Sequence, residues 1–291
     1  MEYYNLNDGN KIPKLGIGMY VLTPEQAEES VYNALKTGYR LIDTANVYMN
    51  EKGVGRGIKR AIDEGIVTRE EIFITSKLWP SDYKYDKAKV AIDETLKRLQ
   101  LDYIDLLLLH QQYGEYLDAY KAMEDGVKEG KIKSIGLSDF NAERFNKVVE
   151  NATIMPAVHQ IETHPFYPEH ELRELAKKTN TIIESWFPLG GIENKGNLLN
   201  NEIIKSIADK YNKTSAQVIL RWHLQMGYIA IPGSSNKEHI EENFNIFDFE
   251  LTNEDMEEMK KVDNETRYFT MSEEEQEKAF TSFAPDFNSQ K

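Results

Sequence analysis

The chain has 291 residues, no cysteine, and 49 acidic against 35 basic side chains, a formal net charge of −14. Without cysteine there is no disulfide, no thiolate metal site and no cysteine nucleophile, and the acidic balance repels nucleic acid and anionic lipid. No apolar run approaches the roughly 18 residues of a membrane span, and the opening "MEYYNLNDGN" has no basic-then-apolar leader, so the expectation is a cytoplasmic monomer with neither nucleic-acid nor membrane partners.

In chain order, the stretch "YYNLNDGNKI" places Asp8-Gly9 between apolar residues, a hairpin signal. The first β-rich run, "KLGIG" (14–18), is followed by Thr23, Pro24 and Gln26. That order predicts an N-cap, a first helical position and the reciprocal member of a capping box, with Gly38 as the stop. "YRLID" (39–43) comes next, then "GVGRG" (53–57), which lacks dinucleotide-fingerprint spacing and reads as a helix segment with packing glycines. "EIFITSK" (71–77) precedes a helical pattern with Ala88, Ile92, Leu96 and Leu99 on one face. "YIDLLLLH" (103–110), "IKSIGLS" (132–138), "PAVHQIE" (156–162) and "TIIESW" (181–186) follow, a second capping box opens at Thr214 with Gln217, and "GYIAIPG" (227–233) is the last run.

Eight short β-rich runs separated by amphipathic helical stretches, in about the 250 residues such a fold needs, predict a single α/β domain. The fold class is a (β/α)8 barrel over residues 1–291, with an open doubly wound sheet as the alternative. Residues 264–291 form a polar tail carrying Tyr268, Phe269, Phe280, Phe283 and Phe287, which reads as a mobile segment with apolar anchors that covers the substrate side.

In a barrel of this kind chemistry collects at the C-terminal ends of the strands. Polar or aromatic residues ending the runs are Asp43, Lys77, His110, Ser138, Asp139, Gln160 and Trp186, with Tyr48 a few residues after Asp43. Each has an ordinary reading by itself: Asp43 as a helix N-cap, Lys77 as a solvated strand end, His110 as a hydrogen-bonded rim residue, Tyr48 as packing. Asp, Lys and His on three consecutive strand ends nevertheless converge on one mouth. There an Asp keeps a buried Lys charged, and the ammonium lowers the pKa of a neighbouring phenol. Tyr48 is then a proton donor and His110 an orienting group for one oxygen, which suits reduction of a carbonyl to an alcohol. No side chain supplies a hydride, so a cofactor is implied. "HPFYPEHE" lacks zinc-site spacing, and no metal is expected.

The stretches "LGIGMY", "LIDTANVYMNEKGVG", "ITSKLW", "DLLLLH", "IGLSDFN", "HQIETHPF", "ESWFPLG" and "IPGSSNKEHIEEN" resemble, in order and spacing and over nearly the whole chain, the aldo-keto reductases. The short loop "QQYGEY" after His110 is similar to that of bacterial members such as diketogulonate and methylglyoxal reductases. The resemblance implies a barrel that binds NADPH without a Rossmann domain, with Asp43, Tyr48, Lys77 and His110 as the catalytic set. It implies that Ser138, Asp139 and Gln160 hold the nicotinamide carboxamide and that Trp186 stacks on the ring. Leu189, Ser234, Ser235, Asn236, His239, Glu242 and Asn243 would surround the pyrophosphate, ribose 2′-phosphate and adenine, and the loop at 190–197 would close over the pyrophosphate. Tyr20, Trp79, Gln111 and Tyr113 would line the side that receives a small carbonyl substrate.

Departures from the family pattern bear on the cofactor. Trp186 replaces a Tyr, a conservative change for stacking. Asp139 stands where Asn is usual, and it still accepts from a carboxamide nitrogen. Gly233 and His239 stand where Lys and Arg are common, which weakens selection for NADPH and leaves NADH as a possible cofactor. Two other functions fit a barrel with these residues: a Schiff-base aldolase using Lys77, which adjacent Asp43 argues against, and a non-enzymatic nicotinamide-binding protein, which the complete catalytic set argues against.

Overall fold

The computed structural model describes residues 1–191 and 197–291; of the loop expected to close over the pyrophosphate, residues 192–196 lie outside the described residues. Two antiparallel strands, β1 (Tyr3–Asn5) and β2 (Lys11–Pro13), form the expected hairpin. Gly9 takes φ 91° in its turn, a conformation cheap only for glycine.

The next eight strands are β3 (Ile17–Gly18), β4 (Leu41–Asp43), β5 (Phe73–Leu78), β6 (Ile104–Leu109), β7 (Ile132–Ser138), β8 (Val158–Glu162), β9 (Ile182–Trp186) and β10 (Ile229–Ala230). They lie parallel and in sequence order. The first and last also meet: Gly16 N donates to Ala230 O (2.9 Å), Ala230 N to Lys14 O (3.1 Å) and Gly18 N to Pro232 O (3.2 Å). The sheet is therefore a barrel rather than the open alternative.

The two-residue strand period sorts side chains into two cores. Leu41, Phe73, Leu106, Leu108, Val158 and Ile229 point inward and pack together, closed from below by Leu6 and Ile12 of the hairpin. Ile42, Ile74, Leu107 and Ile135 point outward and pack against the surrounding helices. Each such side chain, fully buried, stabilises the fold by about 1.5–3 kcal/mol.

The helices are α1 (Pro24–Thr37), α2 (Glu51–Asp63), α3 (Tyr85–Leu99), α4 (Tyr116–Lys128), α5 (Ala142–Asn151), α6 (His170–Lys177), α7 (Glu202–Tyr211), α8 (Ser215–Met226), α9 (Lys237–Phe244), α10 (Asn253–Lys260) and α11 (Glu273–Ser282). Both expected capping boxes are made: Thr23 with Gln26 opens α1, and Thr214 with Gln217 opens α8. The "GVGRG" glycines lie on α2, where α1 and α2 come close enough that a Cβ on Gly53 would sit 2.0 Å from Pro24 O. Gly53→Ala must push backbone aside, so it is expected to cost roughly 1–3 kcal/mol in urea unfolding; equal stability would show that α1 yields freely.

The tail, read from the sequence as a mobile segment with apolar anchors, makes hydrogen bonds as well as apolar contacts in the fold. It is tied down along its length. Tyr268 N and Phe269 N donate to the Glu162 carboxylate (2.6 and 3.2 Å), and Trp79 Nε1 donates to Phe283 O (2.8 Å). The last residues bridge α2 and α3, with Lys52 Nζ donating to Gln290 O (2.7 Å) and Arg98 Nη1 to Asn288 Oδ1 (2.8 Å). Arg98 is itself paired with buried Glu51 (2.6 Å). These partners satisfy backbone and side-chain polar groups of a largely polar segment.

Candidate active site

Successive strand tips bring Asp43, Lys77 and His110 to one end of the barrel. The segment after β4 is a short 3-10 turn, Asn46–Tyr48, that turns the chain back over the mouth. Lys77 Nζ donates to Asp43 Oδ1 (2.6 Å), Thr44 O (3.0 Å) and the Tyr48 hydroxyl oxygen (3.2 Å). Lys77 is completely buried and Asp43 is 2% exposed. Asp43 is thus not the N-cap of the following turn, a place taken by Ala45. The Tyr48 ring lies 5.5 Å from the His110 ring and 5.2 Å from that of Tyr20.

The charges are set by burial and by one another. Asp43 holds the Lys77 ammonium charged, raising its pKa against the opposing effect of burial. Burial together with Lys77 pushes the His110 imidazole well below its usual range, so the ring is neutral. Tyr48 departs from the sequence expectation. Burial raises the phenol's pKa more than Lys77 lowers it, because desolvation penalises phenolate from every side whereas the ammonium acts from one and is already shared with Asp43. Its hydroxyl is therefore protonated throughout the ordinary pH range.

The second group of strand ends, β7 to β9, adjoins this set. Ser138 and Gln160 are level in the sheet and both buried. Asp139, at φ 57°, accepts from Trp186 Nε1 (2.8 Å) and Gln111 Nε2 (3.3 Å). Burial pushes its carboxyl up to about 6 against the pull of the Trp186 N–H. Each carboxylate oxygen takes one donor, so Asp139 clamps the Trp186 indole and keeps lone pairs to accept from a further donor. The clamped ring meets Phe187 at 5.0 Å and Phe269 of the tail at 6.2 Å.

Of the residues expected around the pyrophosphate and adenine, Ser234, Ser235, Asn236 and His239 lie at or just before the start of α9, Glu242 and Asn243 in its last turn, and Leu189 after β9. Asn236 caps that helix, its Oδ1 accepting from Glu238 N (2.7 Å) and His239 N (3.3 Å), while Ser234 Oγ accepts from Asn236 N (3.0 Å). Asn243 is buried, Ser235 and His239 are exposed, and Leu189 is half-buried. Glu242 accepts from Thr214 Oγ1 (2.7 Å), a job the sequence did not signal.

On the substrate side, Tyr20 is 51% exposed whereas Trp79, Gln111 and Tyr113 are buried. Tail residues cover them: Phe280 lies 5.4 Å from Trp79 and 6.2 Å from Tyr113, and Tyr113 donates from its hydroxyl to Gln276 Oε1 (3.1 Å). Gln276 had no distinguishing mark in the sequence. Glu162 and Glu184 were also missed, although each sits two residues from a flagged residue on the same strand and so on the same face. The donor set fits the ring end of a nicotinamide nucleotide: the Ser138 hydroxyl and the Gln160 amide at one level of the sheet, and a flat indole held by Asp139, the residue after Ser138. Among the described residues no group of three or more His, Asp or Glu side chains could hold a metal ion. No helix among them is long and apolar enough to cross a membrane.

Comparison with known proteins places this geometry among relatives. The sequence profile of the aldo/keto reductase family matches residues 14–264. A glyoxal reductase of Bacillus subtilis (strain 168) is 44% identical over 264 residues, spanning 90% of this chain and 93% of that protein. Methylglyoxal reductase DkgA of Salmonella typhimurium is 39% identical over 265 residues, spanning 90% and 94%. Among solved structures, an aldo/keto reductase from Brucella melitensis superposes with TM-score 0.85 at 40% identity, covering 90% of this chain and 99% of that one. An aldo-keto reductase of Bombyx mori in complex with NADP gives 0.88 at 34% identity, covering 93% and 95%.

Proposed function

Because the chain belongs to the aldo/keto reductase family and is an NAD(P)H-dependent oxidoreductase, we propose that it reduces small aldehydes and ketones, α-dicarbonyls among them, with NADPH as reductant and Tyr48 as proton donor. The observation that carries this reading is the Asp43–Lys77–Tyr48 chain of contacts (2.6 and 3.2 Å) beside a neutral His110. A bound reduced nicotinamide supplies the hydride.

The protein's own groups handle the oxygen. The Tyr48 hydroxyl donates toward the substrate carbonyl and, as negative charge develops there, passes over its proton; Lys77 stabilises the phenolate left behind. Asp43 keeps Lys77 charged and in place. His110, neutral, donates its one ring N–H to orient the same oxygen. Ser138 and Gln160 are the residues that would hold the carboxamide, and Trp186, clamped by Asp139, the ring face. The tail aromatics exclude water from the mouth. Mixing the protein with methylglyoxal or glyoxal and either reduced nicotinamide, and following the cofactor absorbance, tests the reading; no turnover with any small carbonyl would refute it.

The aldolase alternative loses ground in the same geometry. An imine-forming lysine must be uncharged, and Lys77 is held protonated by three acceptors.

In this reading cofactor preference rests on His239, exposed in the first turn of α9, and Gly233, exposed in the segment before it. A charge-assisted bond to phosphate is worth roughly 1.5–3 kcal/mol, so His239→Arg is expected to raise the ratio of kcat/KM for NADPH over NADH by about tenfold or more. An unchanged ratio in steady-state kinetics would place the 2′-phosphate elsewhere.

A further inference from the structure

Beneath the proton-donating set lies a second carboxyl that the mechanism above does not use. Glu184 is fully buried on β9 and points into the barrel, level with Gln160 on β8. Gln160 Nε2 donates one hydrogen to Asp43 Oδ2 (2.8 Å) and the other to Glu184 Oε1 (2.5 Å). An unbroken line of contacts therefore runs from Glu184 through Gln160, Asp43 and Lys77 to the Tyr48 hydroxyl.

Charge counting within this interior decides the state of Glu184. The groups that face it are Asp43 from β4 and Lys77 from β5, with Gln160 between. β6, β7 and β10 contribute Leu108, Gly136 and Ile229, and His110 above is neutral. Two carboxyls thus share one cation, and of the two only Asp43 bonds directly to Lys77. An unpaired carboxylate in an apolar interior is costly, whereas the neutral acid is not. Glu184 Oε2 has no partner, which an acid tolerates better than an anion. We propose that Glu184 is a positioning residue, a neutral carboxylic acid that fixes the Gln160 amide against Asp43 and keeps a single negative charge beneath Lys77. The inference rests on the reading of Tyr48 and Lys77 as the proton-donating pair.

Two consequences follow from the line of contacts. With both hydrogens of its amide engaged, Gln160 presents only its carbonyl oxygen to a ligand, the acceptor that a carboxamide NH2 needs. Burial and the Asp43 charge push the Glu184 carboxyl up to about 8. Below that pH it is neutral; above it, a second anion joins Asp43. Asp43 already raises the Tyr48 phenol, and a further like charge makes that phenol a weaker acid, by roughly tenfold. Carbonyl reduction therefore falls as pH rises through 8.

The test uses the full chain with NADPH and methylglyoxal. For the wild type, kcat at pH 7 is expected to exceed kcat at pH 9 by about three- to fivefold, since about a tenth of Glu184 is still neutral at pH 9; in Glu184→Gln, which keeps the acceptor and cannot ionise, that ratio falls to near unity. Glu184→Leu removes the acceptor and is expected to raise the Kd for NADPH, read by tryptophan fluorescence, while Glu184→Gln does not. An alkaline fall that persists in Glu184→Gln overturns the proposal. Infrared difference spectra of the wild type decide the charge state without turnover. A carboxylic-acid carbonyl band that disappears near pH 8 in the wild type and is missing from Glu184→Gln, and so belongs neither to Asp43 nor to Asp139 near 6, supports it; a band that persists in Glu184→Gln, or no such band in the wild type even where the variant fails to fold, overturns it. Absent carbonyl turnover alongside that band would overturn the reductase reading and leave the protonated Glu184 standing.

Discussion

Tyr48→Phe is expected to lower kcat for carbonyl reduction by about 10² or more, the scale of a lost general acid, with NADPH binding unchanged. The substitution removes one oxygen and keeps the ring, whose place is fixed by Tyr20 at 5.2 Å and His110 at 5.5 Å. Lys77 keeps its bonds to Asp43 and Thr44, so the charge beneath the site survives. Because burial holds the phenol protonated, and the Glu184 transition lies near 8, the loss in the variant has the same size at pH 6 as at pH 7. Steady-state kinetics with a fluorescence titration of NADPH separate the two readouts. A variant that turns over at the wild-type rate would move the donor role to another group, and His110 is the one within reach.

Lys77→Met is expected to damage stability as well as chemistry. Removing one member of a buried ion pair leaves the other unpaired, a loss of about 3–5 kcal/mol, and Asp43 has no other cation at hand. The carboxylate limits that loss by taking up a proton, since burial already raises its pKa. The thermal midpoint should fall by several degrees, and kcat by at least as much as in Tyr48→Phe because the phenolate loses its partner. Combining Lys77→Met with Asp43→Asn removes the buried charge altogether and should recover much of the stability and none of the activity. Calorimetry of the single and double variants checks this. Equal stability of Lys77→Met and wild type would mean that water reaches Asp43 and that the pair is not desolvated.

Much of this protein is determined by its sequence alone, for local reasons. The short β-rich runs and the helical faces between them specify eight βα units, and the capping boxes at Thr23 and Thr214 mark helix starts within single turns of chain. Asp43, Lys77 and His110 were legible because each breaks an apolar run at its C-terminal end, where a barrel gathers such residues. The tertiary structure decided what depends on distant chain and on desolvation. Whether the sheet closes rests on bonds between β3 and β10, more than 200 residues apart. The anchoring of the tail comes from Glu162, Trp79, Lys52 and Arg98, each far away in sequence. The direction of the Tyr48 shift required knowing how completely the mouth excludes water, which no pattern of neighbours in sequence reports. Glu184 shows the same divide most plainly: its place on the inward face was readable from its spacing to Trp186, but its charge depends on Asp43, Gln160 and Lys77, which only the closed barrel brings beside it.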